Sequence, residues 1–188
     1  MRPKKEELRL YLPALILSLI PMAAMPAASI AETDAQMSSR FRGASVRAAA
    51  PCILELVRKQ MRIKRPPKAP APKVQLAHEI TLHEFQNAVE AQWLFRPDTV
   101  LNVYVADSNR IFLISDKNAY RDGRSVYDSL AHEFVHYFQV KALDIRLEDA
   151  TEEEEYEATL IQTEFRQTWG NRVQNGEFIC PINEPARP

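Results

Sequence analysis

Apolar residues recur along this chain in two rhythms, one suited to helices and one to strands. From Ala44 to Met61, the residues Val46, Ile53, Leu54, Val57 and Met61 fall on one helical face, and Pro51 either interrupts that helix or opens a new one. Between His78 and Trp93, Ile80, Leu82, Phe85, Val89 and Trp93 make a second helical stripe, with Thr81 as its cap and Glu84 three residues on. The period then shortens. Val100–Val105 (VLNVYV) and Arg110–Ser115 (RIFLIS) are rich in β-branched and aromatic residues and flank the polar turn 106–109, which predicts an antiparallel hairpin. A polar loop over 116–123 carries Tyr120. Ser125 and Asp128 then form the start of a helix running to about Lys141. A last helix spans about Thr151 to Trp169, where Ala158, Leu160, Ile161, Phe165 and Trp169 keep helical spacing.

Breaks in the pattern divide the chain. Arg2, Lys4, Lys5 and Arg9 precede the apolar run Leu10–Met25, and Ser29-Ile30-Ala31 offers small residues for cleavage, so residues 1–31 read as a secretory signal peptide removed near Ala31. Pro13, Pro21 and Pro26 interrupt that run, which argues against a retained membrane anchor, and no later segment is apolar enough to span a bilayer. The expected product is exported, periplasmic or secreted, with no stable membrane span. Residues 32–73 comprise the first helical segment and then the basic stretch Arg62–Lys73, whose Pro66, Pro67, Pro70 and Pro72 forbid regular helix and predict a solvated connector. Residues 74–170 hold the main domain, and 171–188, with Pro181 and Pro185, are expected to be irregular. Cys52 and Cys180 are the two cysteines of the 188-residue chain. In an oxidising compartment they can bridge the start of the mature domain to its tail.

Composition narrows the partners. With 24 basic against 25 acidic side chains, the formal net charge is −1 and leaves no cationic surplus for phosphate neutralisation. The basic connector lacks aromatic residues on which bases could stack. No nucleic-acid partner is expected, and the sequence is silent on oligomeric state.

The candidate chemistry lies in the predicted helix that follows the hairpin, at His132-Glu133-Phe134-Val135-His136. Histidines four apart on a helix stack one turn above each other, so both imidazoles can face one ion. Glu133, beside them, can serve as a base toward water at that ion. Tyr127, Leu130, Ala131, Phe134 and Phe138 would pack inward, while Ser129, His132, His136 and Gln139 would face a cleft. His78, Glu79 and His83 do not repeat the one-turn spacing and read as surface or supporting residues. A catalytic zinc takes three protein ligands, and no histidine follows His136, so a carboxylate must complete the set. Candidates crowd into Glu148–Glu157, seven of whose ten residues are acidic. An acidic first turn also suits the positive end of a helix dipole, which is the ordinary account of Glu152 and Glu153.

With these residues in view, the sequence resembles the glutamate-type zincins (gluzincins), metallopeptidases in which a His-Glu-x-x-His helix is followed by a second helix donating a glutamate. The matching residues are His132, Glu133 and His136, then Glu155-Tyr156-Glu157-Ala158, within about Arg110 to Trp169. The resemblance implies an α+β, zincin-like fold in which a short antiparallel sheet packs on the His-Glu-x-x-His helix and a second, glutamate-bearing helix. It also implies one Zn2+ ion held by His132, His136 and Glu155, with Glu157 and Glu154 as alternatives for the third ligand. Glu133 would be the catalytic base in hydrolysis of a peptide or protein substrate. Helical phase favours Glu155, which aligns with Ala158 and Gln162 along one edge. The resemblance assigns Arg110–Ser115 the role of an edge strand that pairs with extended substrate. Where many members carry an aspartate after the alanine, this chain has Thr159, and Gln139 is the candidate to orient a ligand histidine instead. Tyr120, Tyr127 and Tyr156 are candidate oxyanion donors. The alternative expectation is a catalytically inactive zincin-like binding module with a structural zinc.

Overall fold

The computed structural model describes residues 42–146 and 151–181. The expected signal peptide, Glu148 and Asp149 of the acidic run, and the last residues of the tail lie outside the described residues. Among the described residues the class is α+β, with four α-helices, a three-stranded sheet and a small hairpin. No helix among the described residues is long and apolar enough to cross a membrane.

Helix α1 (Gly43–Gln60) runs unbroken through Pro51. A mid-helix proline forfeits one backbone hydrogen bond and ordinarily breaks or kinks the helix. Here burial of Val46, Ala49, Ile53, Leu56 and Val57 on both sides of Pro51 offsets that cost. Cys52 follows it directly and bridges to Cys180, with Cα atoms 6.0 Å apart.

The sequence pattern missed the next element. Lys73–Leu76 form a strand, β1, and the connector before it is partly anchored: the Tyr137 hydroxyl donates to the Ala69 and Pro70 carbonyls at 3.0 and 3.2 Å. Helix α2 (Leu82–Trp93) starts at Thr81, whose hydroxyl accepts from Glu84 N at 3.1 Å, as the cap pattern predicts. β2 (Val103–Val105) and β3 (Arg110–Leu113) make the expected antiparallel pair, while β1 joins β3 in parallel. The sheet is therefore mixed, ordered β1-β3-β2, and not purely antiparallel. Chain direction explains this: α2 carries the chain across from β1 to β2, and the hairpin then returns β3 into the space between them.

Both faces of the sheet are covered, so its strands read as apolar runs. Phe112, Val103 and Val105 pack against Phe85 and Val89 of α2. Tyr104, Ile111 and Leu113 alternate to the other face and join the larger core with α1, α3 (Val126–Ala142) and α4 (Glu152–Trp169). The tail is not wholly irregular. Val173–Gln174 (β4) and Glu177–Phe178 (β5) form a hairpin across Asn175-Gly176, both at positive φ (52° and 80°), the turn that Asn-Gly specifies. Phe178 plugs this hairpin into the core beside Tyr127 and Phe165.

Candidate metal centre

α3 begins with the capping box read from the sequence: Ser125 Oγ accepts from Asp128 N, and the Asp128 carboxylate accepts from Ser125 N. The helix is more enclosed than a simple amphipathic one. Twelve of its seventeen residues are buried, including Asp128, Glu133 and Gln139, because the sheet, α1 and α4 cover it from several sides. The expectation that Ser129, His132, His136 and Gln139 together face a cleft is corrected accordingly, since Ser129 and Gln139 are buried. The His132 and His136 side chains keep a narrow window, 15% and 14% exposed.

α4 lies antiparallel to α3, and polar contacts at two levels fix their register. At one end, Asp128 Oδ2 accepts from Arg166 Nε at 3.2 Å and from Gln162 Nε2 at 3.5 Å. At the other, Gln139 Nε2 donates to the Glu154 carbonyl at 2.9 Å and to Glu157 Oε2 at 3.0 Å. Between these clamps His132, His136 and Glu155 meet. His132 Nε2 and His136 Nε2 are 3.1 Å apart, and each is 3.3 Å from a Glu155 carboxylate oxygen. One ligand atom from each of the three lies within 4.8 Å of the others. Of the alternatives for the third position, Glu154 caps its own helix at Thr151 and Glu157 is bonded to Gln139.

Charge states follow from this packing. Burial opposes a charge on His136, but the Glu155 hydrogen bond, the Glu133 charge and Gln139 outweigh it, so the pKa is raised. Burial and the neighbouring His136 prevail over Glu155 at His132, whose pKa is lowered. Hydrogen bonding to His136 is the main cause of a lowered pKa at Glu155, against partial burial. Glu133, 4% exposed, is pushed up to about 7, chiefly by burial, although the His136 charge and a hydrogen bond from the Tyr104 backbone N–H pull the other way.

The geometry fits a cation. Two imidazole nitrogens and a carboxylate oxygen converge at hydrogen-bonding distances, which an imidazole N–H satisfies in the metal-free chain and a metal ion could occupy in its place. Nitrogen with carboxylate oxygen is a donor set that divalent transition ions accept. His132 Nδ1 is buried without a hydrogen-bond partner; Gln162 lies close enough to favour the protonated ring but short of bonding geometry.

Other expected residues are placed elsewhere. Arg110–Leu113 is the central strand, so it cannot be the edge that pairs with substrate; insertion of β3 between β1 and β2 uses both of its edges. The edge beside Glu133 is β2. Its Tyr104 carbonyl accepts from Gln92 Nε2 at 3.0 Å, and Ala106 N donates to Gln92 Oε1 at 3.1 Å, so a side-chain amide from α2 occupies that edge as a neighbouring strand would. The Tyr120 hydroxyl donates to the Ile114 carbonyl at 2.8 Å, and that of Tyr127 to the Gly176 carbonyl at 2.7 Å on the core side. Tyr156 is exposed. His78 and His83 lie on the surface, and Glu79 accepts from Leu76 N and Arg47 Nη1 beside the start of α1. A cavity of about 640 Å³ lined by Arg47, Leu54, Val74, Gln75 and Phe134 borders the opposite face of α3 from the histidines.

Three placements around the candidate site escaped the sequence: Asp128 bonded to Arg166, the Tyr104 backbone N–H close to Glu133, and Gln92 on the β2 edge. Asp128 is legible as a cap, but its second oxygen serves α4, which no local pattern encodes. Compared with family models, curated proteins and solved structures, the chain finds no match.

Proposed function

We propose that this chain is an exported zinc-dependent peptidase of zincin-like fold, in which His132, His136 and Glu155 hold one Zn2+ ion and Glu133 is the general base. The observation that carries this reading is the convergence of ligand atoms from His132 and His136 on one helix with one from Glu155, nineteen positions after His136 on the next helix, beside a buried carboxylate with a pKa of about 7. The disulfide between Cys52 and Cys180 is in keeping with an oxidising compartment.

Zinc bound here would supply a Lewis acid that acidifies water and polarises a peptide carbonyl. The protein's own groups do the rest. The two imidazoles and Glu155 fix the cation's position, and Glu155 offsets part of its charge. Glu133 takes a proton from the attacking water and passes it to the leaving amine, for which a pKa near neutrality is well matched. Extended substrate cannot pair with β3, and pairing along β2, the edge next to Glu133, would require Gln92 to release that edge.

Glu133→Gln tests the reading: zinc content should stay at the wild-type level while cleavage of a peptide library is abolished. Retained cleavage refutes Glu133 as the base. A second reading, a zincin-like binding module with structural zinc, is favoured by the near-complete burial of Glu133 and by Gln92 filling the β2 edge. It predicts stoichiometric zinc and no cleavage in the wild type.

A further inference from the structure

Gln139 is fully buried, yet every polar atom of its side chain is used. Its amide forms a chain of bonds whose directions are forced. The Glu154 backbone carbonyl can only accept, and the Glu157 carboxylate accepts when ionised, so the Gln139 NH2 must face them, at 2.9 and 3.0 Å. That leaves Gln139 Oε1 to face His136 Nδ1, 2.9 Å away. An amide oxygen cannot donate. Nδ1 must therefore carry the hydrogen, and in the neutral ring Nε2 is left with its lone pair, aimed at His132 Nε2 and Glu155.

We propose that Gln139 is the positioning residue for His136: its amide, oriented by Glu154 and Glu157 of α4, selects the Nδ1–H tautomer and points Nε2 at the metal site. The proposal rests on the zinc reading above, but its structural half concerns the metal-free chain. Positioning of this kind is commonly done by a carboxylate, a backbone carbonyl or water. An amide does something a carboxylate cannot, because the same side chain that accepts from His136 also donates to α4. It thereby ties the ligand on α3 to the helix that supplies Glu155. A carboxylate at position 139 would instead face Glu157 and the Glu154 carbonyl with no hydrogen to offer.

This difference separates orientation from mere helix packing. Gln139→Met keeps the length and loses both functions. Gln139→Glu keeps the acceptor toward His136 and loses the donors toward α4. Zinc affinity of the full mature protein, measured with Zn2+ alone by competition against a chromophoric chelator, should fall about 10–100-fold in Gln139→Met. In Gln139→Glu it should stay within about threefold of wild type, although both variants melt at lower temperature. Equal losses in the two variants would assign Gln139 to packing alone, and wild-type affinity in Gln139→Met would remove it from the site; either result overturns the proposal. The second measurement needs no variant and no metal. Nitrogen chemical shifts of His136 in the metal-free wild type, at alkaline pH where the ring is neutral, should report the Nδ1–H tautomer, and an Nε2–H tautomer overturns the proposal. If the wild type binds no zinc, the zinc reading fails by itself, and the tautomer still decides the role of Gln139.

Discussion

Replacing Asp128 with alanine tests whether the contacts that align α3 with α4 have the energetic weight their burial implies. The Asp128 side chain is 1% exposed and serves two structures at once. One oxygen completes the α3 capping box with Ser125, and loss of such a cap costs about 1 kcal/mol. The other accepts from Arg166 Nε at 3.2 Å. A hydrogen bond between charged groups is worth roughly 1.5–3 kcal/mol, and since Arg166 retains 28% exposure the lower end applies. The sum is about 2.5 kcal/mol. Urea denaturation of the oxidised protein should show a lower midpoint at constant slope, the unfolding free energy being reduced by that amount. Ser125→Ala should lose only the cap share, near 1 kcal/mol. A double-mutant cycle of Asp128→Ala with Arg166→Met should return a coupling of about 1.5 kcal/mol. A total loss below about 1 kcal/mol, or no coupling with Arg166, would refute the view that Asp128 clamps the two helices.

Other consequences are open to measurement. Changing Cys52 and Cys180 together to serine opens a loop of 128 positions, for which the chain-entropy model gives about 5 kcal/mol; thermal melts of the double variant should fall markedly, and an unchanged melt would deny the bridge a structural role. Burial alone would raise the pKa of Glu79, but bonds from Leu76 N and Arg47 outweigh it and leave the pKa lowered. Its folded-state pKa thus lies below its unfolded value, so its contribution is complete above the ordinary carboxylate range and disappears as pH falls through the folded pKa. Comparing wild type with Glu79→Gln across acid pH should show the stability gap closing on acidification, and a gap that widens would contradict this. Gly176→Ala places a side chain at φ 80° in the β4–β5 turn and should cost on the order of 1 kcal/mol by urea denaturation, whereas Gly170→Ala, in a right-handed conformation with only ordinary contact to Arg166, should be near neutral.

The sequence made the elements around the site more legible than their assembly. Caps carry their own side-chain chemistry, so Thr81 with Glu84 and Ser125 with Asp128 mark the starts of α2 and α3 without tertiary information. The four-residue spacing of His132 and His136 likewise fixes a shared face. Glu155 was distinguishable by helical phase, but only the pairing of α3 with α4 separates it from Glu154 and Glu157 in space. What stayed hidden depends on distant partners. Lys73–Leu76 is too short to announce a strand after four prolines, and its pairing with β3 is made 37 positions away. That pairing moves Arg110–Leu113 from edge to centre, which no period-2 pattern reveals when both faces of a sheet are buried. Pro51 argued for a break that core packing overrides. Asn175-Gly176, by contrast, was a local turn signal available in the sequence, and its flanking residues were too few and too polar to stand out as strands.

Metal analysis of the purified protein tests the central claim most directly. One zinc per chain should be bound, removable by chelator and restored by added Zn2+, and both His132→Ala and Glu155→Gln should lose it while retaining the Cys52–Cys180 bridge. A wild-type protein that binds no zinc, or a Glu155→Gln variant that holds it as tightly as wild type, would contradict the assignment of these three residues as the metal centre.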